Sequence, residues 1–133
     1  ESKSSFGVLR GLHYQKGSKS QGKLISVIEG KILDVVVDIR KNSPTFGYWV
    51  GEILTNTNKK QLWIPEGFAH GFLVLSESAE IIYKTTDYYA PKYERIINWN
   101  DSDLNIDWKL DGLNPIMSKK DKQGVAFKDA DYF

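Results

Sequence analysis

The chain has two histidines, and each stands in a setting that could give it work to do. His13 lies in Gly-Val-Leu-Arg-Gly-Leu-His-Tyr-Gln at residues 7–15, where Val8, Leu9, Leu12 and Tyr14 give a strand its bulk and Arg10 and His13 are polar groups set among them. That pattern suits a strand with one face toward a cavity. Arginine offers carboxylate or phosphate a planar fork, and histidine is the side chain whose unperturbed pKa permits proton exchange near neutrality. A strand edge with both groups in water would have the same pattern. His70 closes Pro65-Glu66-Gly67-Phe68-Ala69-His70, in which a rigid turn delivers a histidine onto the next strand. Two histidines with a carboxylate could hold a metal as a facial set. A substrate contact, or a histidine hydrogen-bonded to backbone, are the other readings of His70. Cysteine is absent, which excludes disulfides, thiolate metal centres and a cysteine nucleophile, and suits a reducing compartment.

These groups need a scaffold. With 133 residues and 41% hydrophobic content, the chain makes one domain, residues 1–133, with a sizeable core. Residues 7–15, 23–29, 32–39, 48–54, 61–64, 71–75, 79–86 and 96–99 read as strands, separated by Gly-, Pro- and Asn-containing breaks. Glu29-Gly30 is a tight-turn candidate, and strands 71–75 and 79–86 are expected to pair across Ser76-Glu77-Ser78. Many short strands with turn signals predict an all-β sandwich or barrel. Residues 100–133 differ: they read as a tail that wraps the barrel, with short helical turns at 102–104 and after Ser118. The aromatic ending Asp-Tyr-Phe predicts a terminus that docks. Trp49, Trp63, Trp99 and Trp108 are assigned to the core.

Eighteen basic residues against seventeen acidic ones leave a net charge of +1, which argues against a nucleic-acid or acidic-membrane partner. Any anion site must be local. No apolar run approaches the ~20 residues that cross a bilayer, and the first residues do not look like a secretory signal, so a cytoplasmic location is expected. The chain opens with Glu1 and runs almost at once into a strand, as a piece of a longer protein would.

The spacing Pro-x-Gly-x-x-His at 65–70 resembles the second motif of the cupins, small jelly-roll barrels. In metal-binding cupins that histidine joins two others and a glutamate, whereas here Gln15 stands where a second histidine after His13 would be. A three-histidine site cannot be made from two. Residues 7–15 closely resemble the dTDP-4-dehydrorhamnose 3,5-epimerases, which invert carbons 3 and 5 of a 4-keto-6-deoxy sugar nucleotide. Gln-Gly-Lys-Leu at 21–24, Val-Asp-Ile-Arg at 37–40, Ser-Pro-Thr-Phe-Gly at 43–47 and Trp-Ile-Pro-Glu-Gly-Phe-Ala-His-Gly-Phe at 63–72 continue the likeness. So do Tyr-Lys-Thr-Thr-Asp-Tyr-Tyr at 83–89, Ile-Asn-Trp-Asn-Asp at 97–101 and Ser-Lys-Lys-Asp at 118–121.

The resemblance implies a cupin jelly roll, a homodimer, a nucleotide-sugar substrate, and neither metal nor organic cofactor. It also implies a segment before Glu1 that exchanges a strand between subunits and helps to bind the nucleotide. Proton abstraction beside a ketone needs a base, a stabiliser for the enolate and an acid on the opposite face. By resemblance these are His13 with Asp121 as its partner, Lys23, and Tyr83. Residue type alone favours a solvated charge for Asp121, an ordinary strand-end lysine for Lys23 and a core tyrosine for Tyr83. Only the resemblance reverses those readings. Arg10 resembles the arginine near the pyrophosphate, Tyr89 the ring that stacks on thymine, and Lys120, Ser2 and Ser4 weaker anion contacts; His70 and Gln15 complete the expected substrate-binding set. Relatives that epimerise carbon 3 alone share these motifs, and a binding module without turnover, or a metal-dependent cupin using His13, His70 and a carboxylate, are the further alternatives.

Overall fold

The β-branched run at 32–37 is buried on both faces, and that fact organises the architecture. In the computed structural model, which describes residues 2–133, the run forms most of a strand that has a sandwich partner on one side and the C-terminal tail on the other. The strands are β1 (Ser2–Ser5), β2 (Leu9–Gln15), β3 (Lys23–Glu29), β4 (Lys31–Asp38), β5 (Trp49–Thr55), β6 (Gln61–Ile64), β7 (Phe68–Val74), β8 (Ser78–Thr85) and β9 (Glu94–Ile96). They form two antiparallel sheets, ordered β1-β8-β3-β6 and β5-β4-β7-β2-β9. The jelly roll thus takes the form of a sandwich.

Side chains alternate across a strand, so the two faces of β4 and β7 can be assigned separately. Ile32, Phe72 and Val74 meet Ile25, Val27, Ala79 and Ile81 of the four-stranded sheet in the core between the sheets. Leu33, Val35, Val37, Ala69 and Leu73 face the other way, with Leu9, Leu12 and Tyr14 in the same cluster. Trp99, Leu104, Trp108, Phe127, Tyr132 and Phe133 of the tail cover that second face. Full burial of each such side chain stabilises by roughly 1.5–3 kcal/mol. The tail therefore wraps the sandwich as expected, and its end docks: Phe133 N–H donates to Ile39 O, and Lys41 N–H to Phe133 O, both at 3.0 Å.

The expected pairing of 71–75 with 79–86 is wrong, because β7 and β8 lie in different sheets. Phe72 and Val74 on one strand and Ala79 and Ile81 on the next must all face the shared core, so the short link at 75–77 crosses between sheets instead of closing a hairpin. Glu29-Gly30 makes the same kind of crossing from β3 to β4. Gly30 has φ +91°, and a Cβ there would lie 2.2 Å from Ser78 O, so the crossing requires glycine. Sequence reading missed β1, whose Ser-Lys-Ser-Ser carries no strand signal and which is held by pairing with β8. The last strand ends at Ile96 and does not run on to Trp99; Ile97 makes only an isolated bridge to Val125. Trp63 was misassigned to the core: it is 54% exposed on the outer face of β6. Trp108 is buried and donates its indole N–H to Trp99 O at 2.9 Å. Residues 102–105 form turns without helix, whereas a single-turn helix, α1 (Lys119–Lys122), follows Ser118. Among the described residues, no helix is long and apolar enough to cross a membrane.

Candidate active site

A cavity of about 490 Å³ lies between the sheets, and each sheet supplies polar groups to its wall. Arg10, His13 and Gln15 of β2 and His70 of β7 come from the five-stranded sheet; Lys23 of β3 and Tyr83 and Thr85 of β8 come from the four-stranded one. Lys23 pairs with Thr85, and Tyr83 with Ile25, which is fully buried in the inter-sheet core, so this row faces inward.

His13 stands opposite His70 on one side and Ile96 on the other. Its Nε2 lies 2.6 Å from Asp121 Oδ1, a charge-assisted distance. A carboxylate only accepts, so Nε2 carries the proton and the free lone pair is on Nδ1. Asp121 is 2% exposed, and its Oδ2 accepts the Gly11 N–H at 3.3 Å. Burial pushes the Asp121 carboxyl up, but the bonds from His13 and Gly11 and the neighbouring His13 charge outweigh it and hold the group below the usual carboxylate range. Ser118 caps α1 by accepting the Asp121 N–H at 3.2 Å, which fixes the backbone that carries the carboxylate. Gly11 has φ +122°, and a Cβ there would meet Gly71 Cα at 2.7 Å and His70 O at 2.8 Å; that close approach lets β2 press against β7 beside both histidines.

His70 is also paired. Its Nε2 bonds to Asp34 Oδ1, while Asp34 is fully buried and its Oδ2 has no partner among the described residues. Sequence reading passed over Asp34 because it sits in the apolar run of β4. The available signal was the cost of burying a carboxylate among valines, which demands a partner. Each histidine thus spends Nε2 on its own carboxylate, and among the described residues no three His, Asp or Glu side chains are grouped as a metal would need.

Lys23 is half-buried, and burial lowers its pKa below the usual lysine value, with the charges of Glu94 and Asp34 opposing the shift. Tyr83 lines the cavity and packs against the inter-sheet core. Tyr14 also lines the cavity, but its hydroxyl donates to Asp131 O at 2.9 Å and burial pushes its pKa up to about 12, so it is poorly placed to give a proton away. Arg10 reaches back to Ser4 Oγ, with Nε at 3.4 Å and Nη2 at 3.3 Å, while most of its fork stays open. Ser2 of β1 lines the cavity from the four-stranded sheet.

At the rim, Tyr89 is 59% exposed, and Glu94 lines the cavity beside it. Lys120 does not line the cavity: its Nζ lies 2.6 Å from Glu94 Oε1 and 3.3 Å from the Tyr89 hydroxyl. The Glu94 bond raises the Lys120 pKa. Glu94 had gone unnoticed in the sequence because it follows a proline-bearing turn and lies in a three-residue strand. Of the eleven expected site residues, Ser2, Arg10, His13, Gln15, Lys23, His70, Tyr83 and Tyr89 line one cavity, Ser4 holds the Arg10 fork, Asp121 stands behind His13 and Lys120 behind Tyr89.

The family model described as dTDP-4-dehydrorhamnose 3,5-epimerase matches residues 1–129. The enzyme of that name from Pseudomonas aeruginosa is 60% identical over 132 residues, covering 99% of this chain and 72% of the relative. The crystal structure of the Elizabethkingia anophelis enzyme of the same name superposes with a TM-score of 0.95 at 53% identity, covering 98% of this chain and 72% of that one. The Legionella pneumophila dTDP-6-deoxy-D-glucose-3,5-epimerase, in complex with dTDP-4-keto-L-rhamnose, superposes with a TM-score of 0.93 at 54% identity, covering 98% and 68%.

Proposed function

The chain belongs to the dTDP-4-dehydrorhamnose 3,5-epimerase family, and from that membership we propose that it inverts carbons 3 and 5 of dTDP-4-keto-6-deoxy-D-glucose, giving dTDP-4-keto-L-rhamnose. The observation that carries the reading is the placement of His13, backed by Asp121 from the tail, on one sheet and of Lys23 and Tyr83 on the sheet facing it across one cavity. Inversion needs a proton removed from one face of the sugar and returned on the other. Two opposed walls answer that need.

In the proposed mechanism the ketone at carbon 4 makes the hydrogens on carbons 3 and 5 acidic, because the resulting carbanion delocalises onto oxygen. Nδ1 of His13 takes the proton, and Asp121 stabilises the imidazolium that forms. The Lys23 ammonium stands by the enolate oxygen; half-buried, it acts through a lower effective dielectric than in water. Tyr83 returns a proton to the carbon from the opposite wall; the part-exposed His13 then releases its proton to solvent and the Tyr83 phenolate takes one up, and the cycle repeats at the second carbon. A phenol suits this because it is neutral at pH 7 yet has a proton to give. Arg10 binds the pyrophosphate with its open fork, Tyr89 stacks on the base, and His70, held from behind by Asp34, contacts the sugar. The reading includes a homodimer and a cytoplasmic location, and uses no metal or organic cofactor.

Proton NMR of dTDP-4-keto-6-deoxyglucose in deuterated water with added chelator tests it, following the hydrogens on carbons 3 and 5 separately. Loss of both signals with formation of the 3,5-epimer is expected. Loss at carbon 3 alone would make the protein a 3-epimerase, an unchanged substrate would leave a sugar-nucleotide binding module, and activity abolished by the chelator would restore the metal-dependent reading.

A further inference from the structure

Gln15 lies on β2, two residues beyond His13, and is buried at the edge of the cavity. Its amide reaches two loops at once. Nε2 donates to Lys19 O at 2.7 Å and to Tyr88 O at 3.2 Å, while Oε1 accepts the Ala90 N–H at 2.8 Å. Both donors of the amide are therefore spent, and two of the three bonds fall on the residues immediately before and after Tyr89.

The loops joined in this way are those that frame the cavity mouth. Residues 16–22 and 86–90 are further tied by Gly22 N–H to Thr86 Oγ1 at 2.9 Å, Thr86 N–H to Gly22 O at 3.0 Å and Gln21 Nε2 to Asp87 O at 2.6 Å. Those ties hold Thr86 and Asp87; Gln15, by contrast, bonds the backbone on either side of Tyr89 to the strand bearing His13. The Tyr89 ring itself is mostly exposed, held at its tip by Glu94 and Lys120. A stacking surface that is mobile before binding loses freedom when it binds, and a surface already fixed does not.

We propose that Gln15 is a positioning residue for nucleotide binding, its amide clamping the backbone on both sides of Tyr89 so that the ring is presented to the base at a set distance from the dyad. The inference rests on the assignment of Tyr89 to the base. It differs from the role expected from the sequence, in which Gln15 touches substrate itself.

The test compares wild type, Gln15→Met, Tyr89→Ala and the double variant, with calorimetric titration of dTDP and of inorganic pyrophosphate and with steady-state kinetics. Methionine keeps the length and removes all three bonds. Gln15→Met is expected to weaken dTDP about tenfold, a fraction of the full stacking contribution of a base on an aromatic ring. Pyrophosphate, which has no base, should change by less than about twofold, KM should rise with the dTDP constant, and kcat should fall much less. In the Tyr89→Ala background the same change should add less than about twofold, since coupled residues are not additive. The proposal is overturned if Gln15→Met leaves dTDP binding unaltered, weakens dTDP and pyrophosphate alike, or adds its full effect without Tyr89. If Gln15→Met fails to fold, Gln15→Asn answers instead: it keeps the buried amide but is too short to bridge both loops, and the same pattern is expected. Failure of wild type to bind dTDP, or indifference of dTDP to Tyr89→Ala, would instead bring down the assignment of Tyr89 on which the inference rests.

Discussion

His13, Tyr83 and Asp121 make separable predictions because they act at different moments of the same proton's path. His13→Ala should abolish exchange at both carbons while leaving dTDP binding nearly intact, and substantial residual exchange would remove His13 from the base role. Tyr83→Phe keeps the ring in the inter-sheet core and removes only the hydroxyl that carries the proton. Exchange with solvent should then persist in part while inversion falls by about a hundredfold, a general-acid contribution; an unchanged epimerisation rate would count against it. Asp121 has a further signature in stability. Its carboxyl is held below its ordinary value, despite burial, by His13 and the Gly11 N–H. A depressed carboxylate contributes stability that is complete above its unfolded pKa of about 3.9 and is lost as pH falls through the folded value. Urea unfolding across pH 6 to about 2.5 should therefore show a steeper acid loss in wild type than in Asp121→Asn. Asp38 is also held far below its usual range, against burial, by Arg40, Ser43 and Thr45, but it is present in both proteins and cancels in the difference. Parallel curves would mean that the dyad adds nothing to folding. Residue type marked His13 as a proton carrier but not its partner: Asp121 sits among lysines, and nothing local says that a segment 108 positions away in sequence brings it to His13.

At the scale of elements, the sequence carried most strand positions but not their partners. Alternation marked β3 and β6 at their observed bounds, since each has one face buried and a clear break on either side. It could not say that β7 and β8 part company, because a three-residue link between two apolar strands has the same appearance whether it folds back in one sheet or crosses to the other. Nor could it reveal β1, which exists only because β8 has a free edge to offer. The approach of β2 to β7 is the element contact on which the site depends most, and Gly11 is where it can be tested. An alanine there would be strained at φ +122° and would set its Cβ 2.7 Å from Gly71 Cα, backbone that cannot swing aside as a side chain could. Gly11→Ala should cost about 3 kcal/mol or more by urea unfolding, combining a left-handed backbone penalty with overpacking. The N–H of Gly11 also reaches Asp121, so any variant that folds should lose activity out of proportion to its loss of dTDP binding. A variant with wild-type stability would show that the strands can separate without harm.

The whole molecule ties catalysis to folding through its tail. Residues 99–133 add no strand to either sheet, yet Trp99, Leu104, Trp108, Phe127, Tyr132 and Phe133 cover the outer face of the five-stranded sheet, and Asp121 rides on the same segment. Without it Leu9, Leu12, Leu33, Val35, Val37 and Leu73 would lose their cover. Six side chains of this kind, at roughly 1.5–3 kcal/mol each, represent about 9–18 kcal/mol of burial, as large as the whole net stability of about 5–15 kcal/mol expected of a domain. Some of that burial would persist through contacts within the sheet, but the loss needed to unfold the chain is only part of the total. A fragment of residues 1–98 is therefore expected to show no cooperative thermal transition by circular dichroism and to aggregate through the uncovered face, whereas the full chain unfolds cooperatively. Asp121→Ala in the full chain separates the two contributions, since it removes the dyad but leaves the aromatic cover. It should fold, bind dTDP and lack epimerisation. A fragment that unfolded cooperatively would make the tail a carrier of Asp121 alone, and the apolar alternation of β4 on that face would then need another explanation.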